Sequence, residues 1–356
     1  MTDIDLIVFG SGSLTRSLVM ALASRSQPSL STMIVGRDEA AVASIAMLAR
    51  ARAAALNSSL TISSCACDYS PSALDHIFLS VRPRIVLTLA SRQSPWKMGP
   101  RWRRLLSAAG YGFALPLQAV LADHVFRAAL RRHAVLCVNG CYPDVANHVL
   151  HERGVPIAGG IGNVAIIASV LRSLHPGRSV DIIAHHAHVV ALITGRWNDL
   201  RPPAVWLDGE RWAEQDAAAL TSLVVLPADS SLNDVTGAAA IPMLEALAGR
   251  SDPWDGHAPG VDGEFGGYPV CADVRGVRIS ARAGMSSDDA KALNQDFNRA
   301  DGITVEKAQY KCTQTADQLH AATGIQLPES ILSWCADELE EQADRLTELQ
   351  VVLDGE

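Results

Sequence analysis

The stretch LIVFGSGSLTRSL, residues 6–18, sets a strand-type apolar run against two glycines and then a helix-forming segment. A strand ending at Phe9, a tight turn through Gly10 and Gly12, and a helix opening within a few residues leave the first helical N–H groups pointing out of the turn. Such a turn lets backbone approach a pyrophosphate closely. Gly-x-Gly alone is a common spacing. Its weight here comes from position, because it occupies the first strand–helix junction of a long series. Apolar, β-branched runs at 4–9, 31–35, 60–66, 84–90, 134–138 and 155–158 alternate with helical spacing over 14–25, 38–56 and 115–133.

A β-α-β-α-β order followed by a second winding predicts an α/β fold. Residues 1–165 are expected to form a Rossmann-type, doubly wound parallel sheet that binds a dinucleotide at the carboxyl ends of its strands. Beyond about residue 175 the pattern changes. Strand-type runs at 178–193, 203–209, 220–226, 268–274 and 277–282, and helical spacing at 234–249, 286–300 and 328–350, predict a C-terminal α+β substrate and dimerisation domain over 166–356. DVRGVRI predicts a hairpin turning near Gly276, and the Gly-, Pro- and Asp-rich segment 249–269 predicts a functional loop or lid.

With 356 residues, 48% hydrophobic and 19% charged, the chain is long enough for two domains and has the composition of a compact globular protein. A formal charge of −8 argues against a general phosphate-backbone binder, so no nucleic-acid partner is expected. The start MTDIDLIVFG has no basic segment of a secretory signal, and the uncharged stretch 154–171 is broken by Pro156, glycines and Asn163. A cytoplasmic protein without a membrane partner is expected. Seven cysteines, an odd number, fit reduced thiols; Cys65, Cys67, Cys137 and Cys141 read as small buried hydrophobes rather than zinc ligands.

The candidate cofactor contacts follow the strand ends. Gly10, Ser11, Gly12, Ser13, Leu14 and Thr15 form the first turn and helix opening, with Thr15 where a third small residue would stand. After the second strand come Gly36 and Arg37, and Asp38 lies one residue later than an acid that would pair with a ribose hydroxyl. An arginine there forks onto a 2′-phosphate, so NADP(H) is favoured over NAD(H). In LTLASRQSPW, Ala90, Ser91 and Gln93 are placed to contact the cofactor and Trp96 to face a substrate. In CVNGCYPDVANHVL, Asn139 and Gly140 meet the nicotinamide end, Tyr142 the substrate, and Asp144 caps the next helix. As a nucleophile Cys141 would need a neighbouring base or positive charge to make it a thiolate, and sequence alone places none beside it.

Taken in order, VFGSGSLTRSL, VLTLASRQSPW, CVNGCYPDVANHVL and GGIGNVA resemble the saccharopine-dehydrogenase-like and opine-dehydrogenase-like group of NAD(P)-dependent oxidoreductases. The resemblance covers about the first 165 residues and departs from the group at Thr15. It implies reduction of an imine formed between an amine, often an amino acid, and a carbonyl compound. Reduction of a ketone or aldehyde, and a non-catalytic NADP-binding redox sensor, are the alternatives. A small-molecule substrate and a homodimer are expected.

In that setting DIIAHHAHVV, residues 181–190, is the most pointed feature of the second half. On a strand, alternation sets His186 and His188 on one face and His185 on the other. Zinc would need a further ligand at a recognisable spacing, and none stands nearby, so no metal site is expected. Hydride transfer needs a proton partner, and histidine titrates in the useful range. His188 is favoured as acid/base with His186 beside it. Lys97 is the third catalytic candidate, and it or Arg196 would bind a substrate carboxylate.

Overall fold

The computed structural model describes residues 1–25, 30–197, 200–280 and 284–355. Its first strand, β1 (Thr2–Phe9), is buried on both faces from Leu6 to Phe9. Leu6 and Val8 join one hydrophobic core and Ile7 and Phe9 another, as alternation along a strand requires. A strand apolar on both faces belongs at the centre of a sheet covered by two layers. The chain continues through α1 (Ser13–Leu22), β2 (Thr32–Gly36), α2 (Glu39–Ala55), β3 (Ile62–Ala66), α3 (Pro71–Ser80), β4 (Val81–Thr88), α4 (Pro100–Ala109), α5 (Leu115–Leu130), β5 (Leu136–Asn139), α6 (Pro143–Glu152) and β6 (Ile157–Gly160). The six strands pair in parallel in the order β3-β2-β1-β4-β5-β6, so the expected doubly wound sheet is present.

Helix starts are marked locally. The Asp38 side chain accepts from the Ala41 N–H at 3.0 Å to cap α2, and Ser70 caps α3 with Pro71 in its first turn. The segment Tyr111–Leu130, containing α5, is long and apolar enough to cross a membrane, but most of it lies inside this protein, as befits a core helix.

The second half contains α7 (Val164–Leu174), β7 (Val180–Ile183), α8 (His186–Thr194), β8 (Ala204–Leu207), β9 (Glu210–Arg211), α9 (Glu214–Ala218), α10 (Leu220–Leu223), α11 (Leu232–Ala248), β10 (Trp254–Pro259), β11 (Gly267–Asp273), β12 (Gly276–Ile279), α12 (Ser287–Ala300), β13 (Ile303–Glu306), β14 (Gln309–Cys312), α13 (Ala316–Thr323), β15 (Ser333–Cys335) and α14 (Leu339–Gly355). Three antiparallel sheets, β7-β8-β9, β10-β11-β12 and β13-β14-β15, make it α+β. It does not stand apart from the first half. Met243, Leu244 and Leu247 of α11 and Tyr268 and Val270 of β11 complete the core beneath Leu6 and Val8, while Leu339 and Leu346 of α14 join the core beneath Ile7 and Phe9.

Several sequence expectations need correction. The run 178–193 is not one strand, because β7 ends at Ile183 and α8 begins at His186. His185 caps that helix: its Nδ1 accepts from the Ala187 N–H at 3.3 Å, and His188 Nδ1 accepts from the His185 N–H at 2.9 Å. Two imidazoles thus perform the reciprocal bonding usually made by Ser or Thr with Glu or Gln. Residues 220–226 hold the short helix α10 rather than a strand, and 328–350 passes through a 3-10 turn at Glu329–Ile331 and the strand β15 before α14. The presumed lid at 249–269 is β10 followed by a turn, paired along β11 and largely buried. The hairpin is as expected, with Asp273 opposite Gly276, although Ala281 and Arg282 of the expected strand lie outside the described residues.

Gly237 is where α11 crosses α1. A Cβ there would stand 2.7 Å from the Leu18 backbone nitrogen and 2.8 Å from the Ser17 carbonyl carbon. Neither backbone atom can yield without moving a helix, so Gly237→Val should cost about 1–3 kcal/mol through overpacking. A lower urea midpoint at unchanged slope is the expected result.

Candidate functional site

A cleft of ≈ 340 Å³ opens at the carboxyl ends of the parallel strands, where a doubly wound sheet receives its ligands. Ser11, Gly12, Ser13 and Leu14, Arg37, Ala90 and Ser91, Gly140, and Trp96 and Tyr142 all line it, together with Gly10. Thus most of the residues expected to contact a dinucleotide or substrate converge on one space.

The first turn suits a pyrophosphate on grounds of its own. Gly10 has φ +135°, and a Cβ there would sit 2.9 Å from the Leu89 carbonyl, so only glycine fits. Gly12 differs: at φ −84°, ψ −175° any residue is allowed, and nothing lies within 4 Å of where its Cβ would stand. Neither strain nor packing demands glycine there; a side chain would instead fill the cradle. No side chain caps α1, which leaves its N-terminal N–H groups for an anion.

Thr15, Gln93 and Asn139 are placed differently from expectation, since all three are buried and do not line the cleft. Asn139 supports the lining instead. Its Nδ2 donates to Asn147 Oδ1 at 2.9 Å and to the Cys141 carbonyl at 3.1 Å, and its Oδ1 accepts from the Cys141 N–H at 2.9 Å. This holds the turn in which Tyr142 takes the left-handed conformation, φ 48°. Lys97 and Arg196 are exposed and outside the cleft, so neither is placed to act on a substrate bound there. Burial pushes the Cys141 thiol up to about 12, which removes it as a nucleophile.

The histidines separate because they open a helix rather than run along a strand. His188 is fully buried, its Nδ1 accepting from the His185 N–H and its Nε2 donating to the Arg201 carbonyl at 3.0 Å. Burial, reinforced by His185, takes it down to about 3, so it stays neutral and structural. That corrects its expected acid/base role. His185 is likewise buried, with Nε2 2.7 Å from Asn298 Oδ1.

His186 alone of the three lines the cleft. Its Nδ1 lies 2.9 Å and 3.1 Å from the two carboxylate oxygens of Asp301, which leaves Nε2 for the cleft. Tyr111 lies against its ring at 4.8 Å between centroids and Tyr142 meets it edge-on at 5.1 Å. Tyr142 also donates its hydroxyl to Asp301 Oδ2 at 2.6 Å. Burial opposes charge on this imidazole, but the Asp301 carboxylate outweighs it and the net shift is upward. Asp301 is its mirror image: burial favours the neutral acid, yet His186 and the Tyr142 hydroxyl hold it below its ordinary value. The His186 backbone N–H donates to Asp144 Oδ1 at 2.9 Å, and Asn163 Nδ2 donates to Asp144 Oδ2, so Asp144 serves α8 rather than capping α6.

Asp301, Tyr111 and Asp144 were not in the sequence reading of the site, nor were Val189, Val190 and Ile193 of α8 or Asn233 of α11. Asp301 lies 115 residues from His186 with no motif around it. Only the helical spacing of His186 with Val189, Val190 and Ile193 was a usable signal, and it was masked by the strand reading. Among the described residues no group of three or more His, Cys, Asp or Glu side chains gathers to hold a metal ion.

No family model matches the sequence, and no curated protein does. Solved structures do. Malate dehydrogenase from Archaeoglobus fulgidus in complex with NADH is 16% identical at a TM-score of 0.53, covering 83% of this chain and 98% of its own. Malate dehydrogenase from Plasmodium falciparum is 12% identical at 0.54, covering 85% and 96%. The lactate dehydrogenase from Cryptosporidium parvum, complexed with lactic acid and nicotinamide adenine dinucleotide, is 16% identical at 0.52, covering 84% and 96%. At such identities the likeness is one of fold: a Rossmann-type sheet with an α+β second half, shared with malate and lactate dehydrogenases.

Proposed function

We propose that this protein is a nicotinamide-dependent oxidoreductase interconverting a carbonyl group and an alcohol, with His186 as the proton-transfer residue. One observation carries the reading: His186, its Nδ1 bonded to the buried Asp301, lines the same cleft as a glycine turn suited to a pyrophosphate. When bound, the nicotinamide supplies or accepts the hydride. The chain's own residues handle the rest. Gly10–Leu14 and the α1 N-terminus hold the diphosphate. His186 gives a proton from Nε2 to the substrate oxygen as that oxygen gains charge, and takes it back in the reverse direction. Asp301 holds Nδ1–H and favours the imidazolium; Tyr142 fixes Asp301.

The resemblance to saccharopine- and opine-dehydrogenase-like enzymes points to C=N as the reducible bond. A protonated imine brings its own proton, whereas a carbonyl oxygen must be given one, so the dyad favours C=O. Cofactor choice rests on Arg37, which lines the cleft at the end of β2, and on Asp38, whose carboxylate is committed to the α2 cap. Both favour NADP(H), although the similar malate dehydrogenase cited above holds NADH.

Calorimetry of NADPH and NADH should show tighter NADPH binding, lost by about 10–100-fold in Arg37→Ala while NADH is unaffected, as for a charge-assisted hydrogen bond. Equal affinities in the parent protein would remove the phosphate role. Gly12→Val should weaken both nucleotides at least ~10-fold by blocking backbone approach, with thermal stability unchanged.

Turnover supplies the second test. NADPH oxidation with a carbonyl panel, with and without added amine, distinguishes C=O from C=N reduction, and tight binding without turnover of any panel member would favour a redox sensor. His186→Gln should lower turnover by about 10²–10⁴-fold, the range for loss of an acid/base group, while nucleotide still binds. Reduction needs protonated His186, so kcat/KM for reduction should fall as pH rises through its raised pKa, and oxidation should rise. In Asp301→Asn both inflections should move to lower pH. The same signs govern stability. His186 contributes below about 6.5 and loses its contribution as pH rises through its raised value; Asp301 contributes above about 3.9 and loses it as pH falls through its depressed one.

A further inference from the structure

Along α8 the wall of the cleft is apolar beyond His186. α8 sets His186, Val189, Val190 and Ile193 at i, i+3, i+4 and i+7, one face of a helix, and all four line the cleft. Val190 is 40% exposed on this lining face, so aliphatic surface is offered to whatever enters. Trp96 and Ile166 line the same space and extend the apolar surface.

Charge is distributed just as unevenly. Among the described lining residues the one Lys or Arg is Arg37. It follows β2, across β1 and β4 from the Gly140–Tyr142 turn that packs on His186. Two acidic side chains, Asp301 and Asp144, bond His186 itself, one through its ring and one through its backbone. An anionic group beside His186 would therefore leave water for the aliphatic face of α8 and the rings of Tyr111 and Tyr142, near two acids and an imidazole already paired with one of them. Burying an unpaired charge in such surroundings is costly.

We propose that the site is selective for neutral substrates, a ketone or secondary alcohol carrying an apolar substituent, and discriminates against 2-oxo and 2-hydroxy acids. The proposal rests on the carbonyl–alcohol reading above. Under it, His186 meets the oxygen, and the apolar substituent lies along Val189, Val190 and Ile193. The malate and lactate dehydrogenases that share this fold are named for hydroxy acids; selectivity here would differ from theirs because the α8 stripe offers methyl groups and no cation.

The test uses the full-length protein with its preferred nucleotide. Initial rates would be measured for methyl ketones of four to eight carbons and benzylacetone, against 2-oxo acids of matched length. Neutral ketones should exceed the acids at least ~100-fold in kcat/KM, a selectivity that desolvation of an unpaired carboxylate readily supplies. Val190→Arg, a change at a partly exposed position, should raise kcat/KM for the 2-oxo acids by ~10-fold or more and lower it for the ketones. Equal or greater activity on 2-oxo acids in the parent protein overturns the proposal while leaving the oxidoreductase reading intact, as does a ratio unmoved by Val190→Arg. Absence of turnover with both classes also overturns it. NADPH calorimetry on the same sample then tells whether the cofactor reading stands without the reaction or falls too.

Discussion

A carboxylate removed from water must be neutralised where it lies, and Asp301 is buried at the C-terminal end of α12. What neutralises it comes from elsewhere in the chain: His186 at the start of α8 and the hydroxyl of Tyr142 after β5. Its backbone carbonyl accepts from the Gly112 N–H at 2.8 Å, and a Cβ on Gly110 would stand 2.5 Å from that same oxygen. One residue therefore fixes the approach of four segments. The imidazole is oriented by folding before any substrate arrives, which is the preorganisation that proton transfer requires. Removing His186 takes from the buried Asp301 carboxylate its imidazole partner, so the His186–Asp301 pair and the packing of the second half are one problem.

The parallel sheet was legible because its signals are local. Each strand is a short apolar run, each junction carries its own glycine or cap, and β1 to β6 fall within a few residues of their expected ranges. Gly10, Gly12 and Arg37 could be placed because strand ends in such a sheet converge by topology alone. The dyad was not legible. His186 could be named, but its partner is set by a contact 115 residues long. The strand reading of 178–193 failed for a related reason. An apolar run interrupted by histidines fits either period until one knows that the His185 side chain bonds the Ala187 N–H, and the His188 side chain the His185 N–H, to start a helix.

Composition misled in the segment 249–269, where Gly, Pro and Asp suggested a functional loop or lid. These residues have packing roles instead. A Cβ on Gly256 would collide with the Trp254 indole, 1.9 Å from Cζ2, so glycine lets that ring lie across β10. His257 Nε2 accepts the Ile182 N–H at 3.1 Å and ties β10 to β7. Gly260, at φ +61°, passes so close to Pro143 and Asn147 that a side chain would strike both. Glycine marks close approach as often as freedom, and sequence alone does not separate the two.

The glycine turn proposed to hold the cofactor, finally, depends on a helix that the chain reaches some 220 residues later. Asn233 Nδ2 of α11 donates to Ser13 Oγ at 2.7 Å, Ser17 Oγ donates to Asp234 Oδ1 at 2.6 Å, and Arg25 meets the buried Glu245 at 2.7 Å. These contacts run along the length of α1, and Leu232, Asn233 and Thr236 of α11 also line the cleft. A nucleotide seated on Gly10–Leu14 would thus bear on both halves of the chain at once. Binding free energy would be returned as stability of the α1–α11 crossing, because a ligand that binds only the folded state stabilises whatever assembles its site. The glycine at that crossing, Gly237, then serves the turn as well as the core: it sets how closely α11 can lie on α1, and with that the position of Gly10–Leu14 at the cleft.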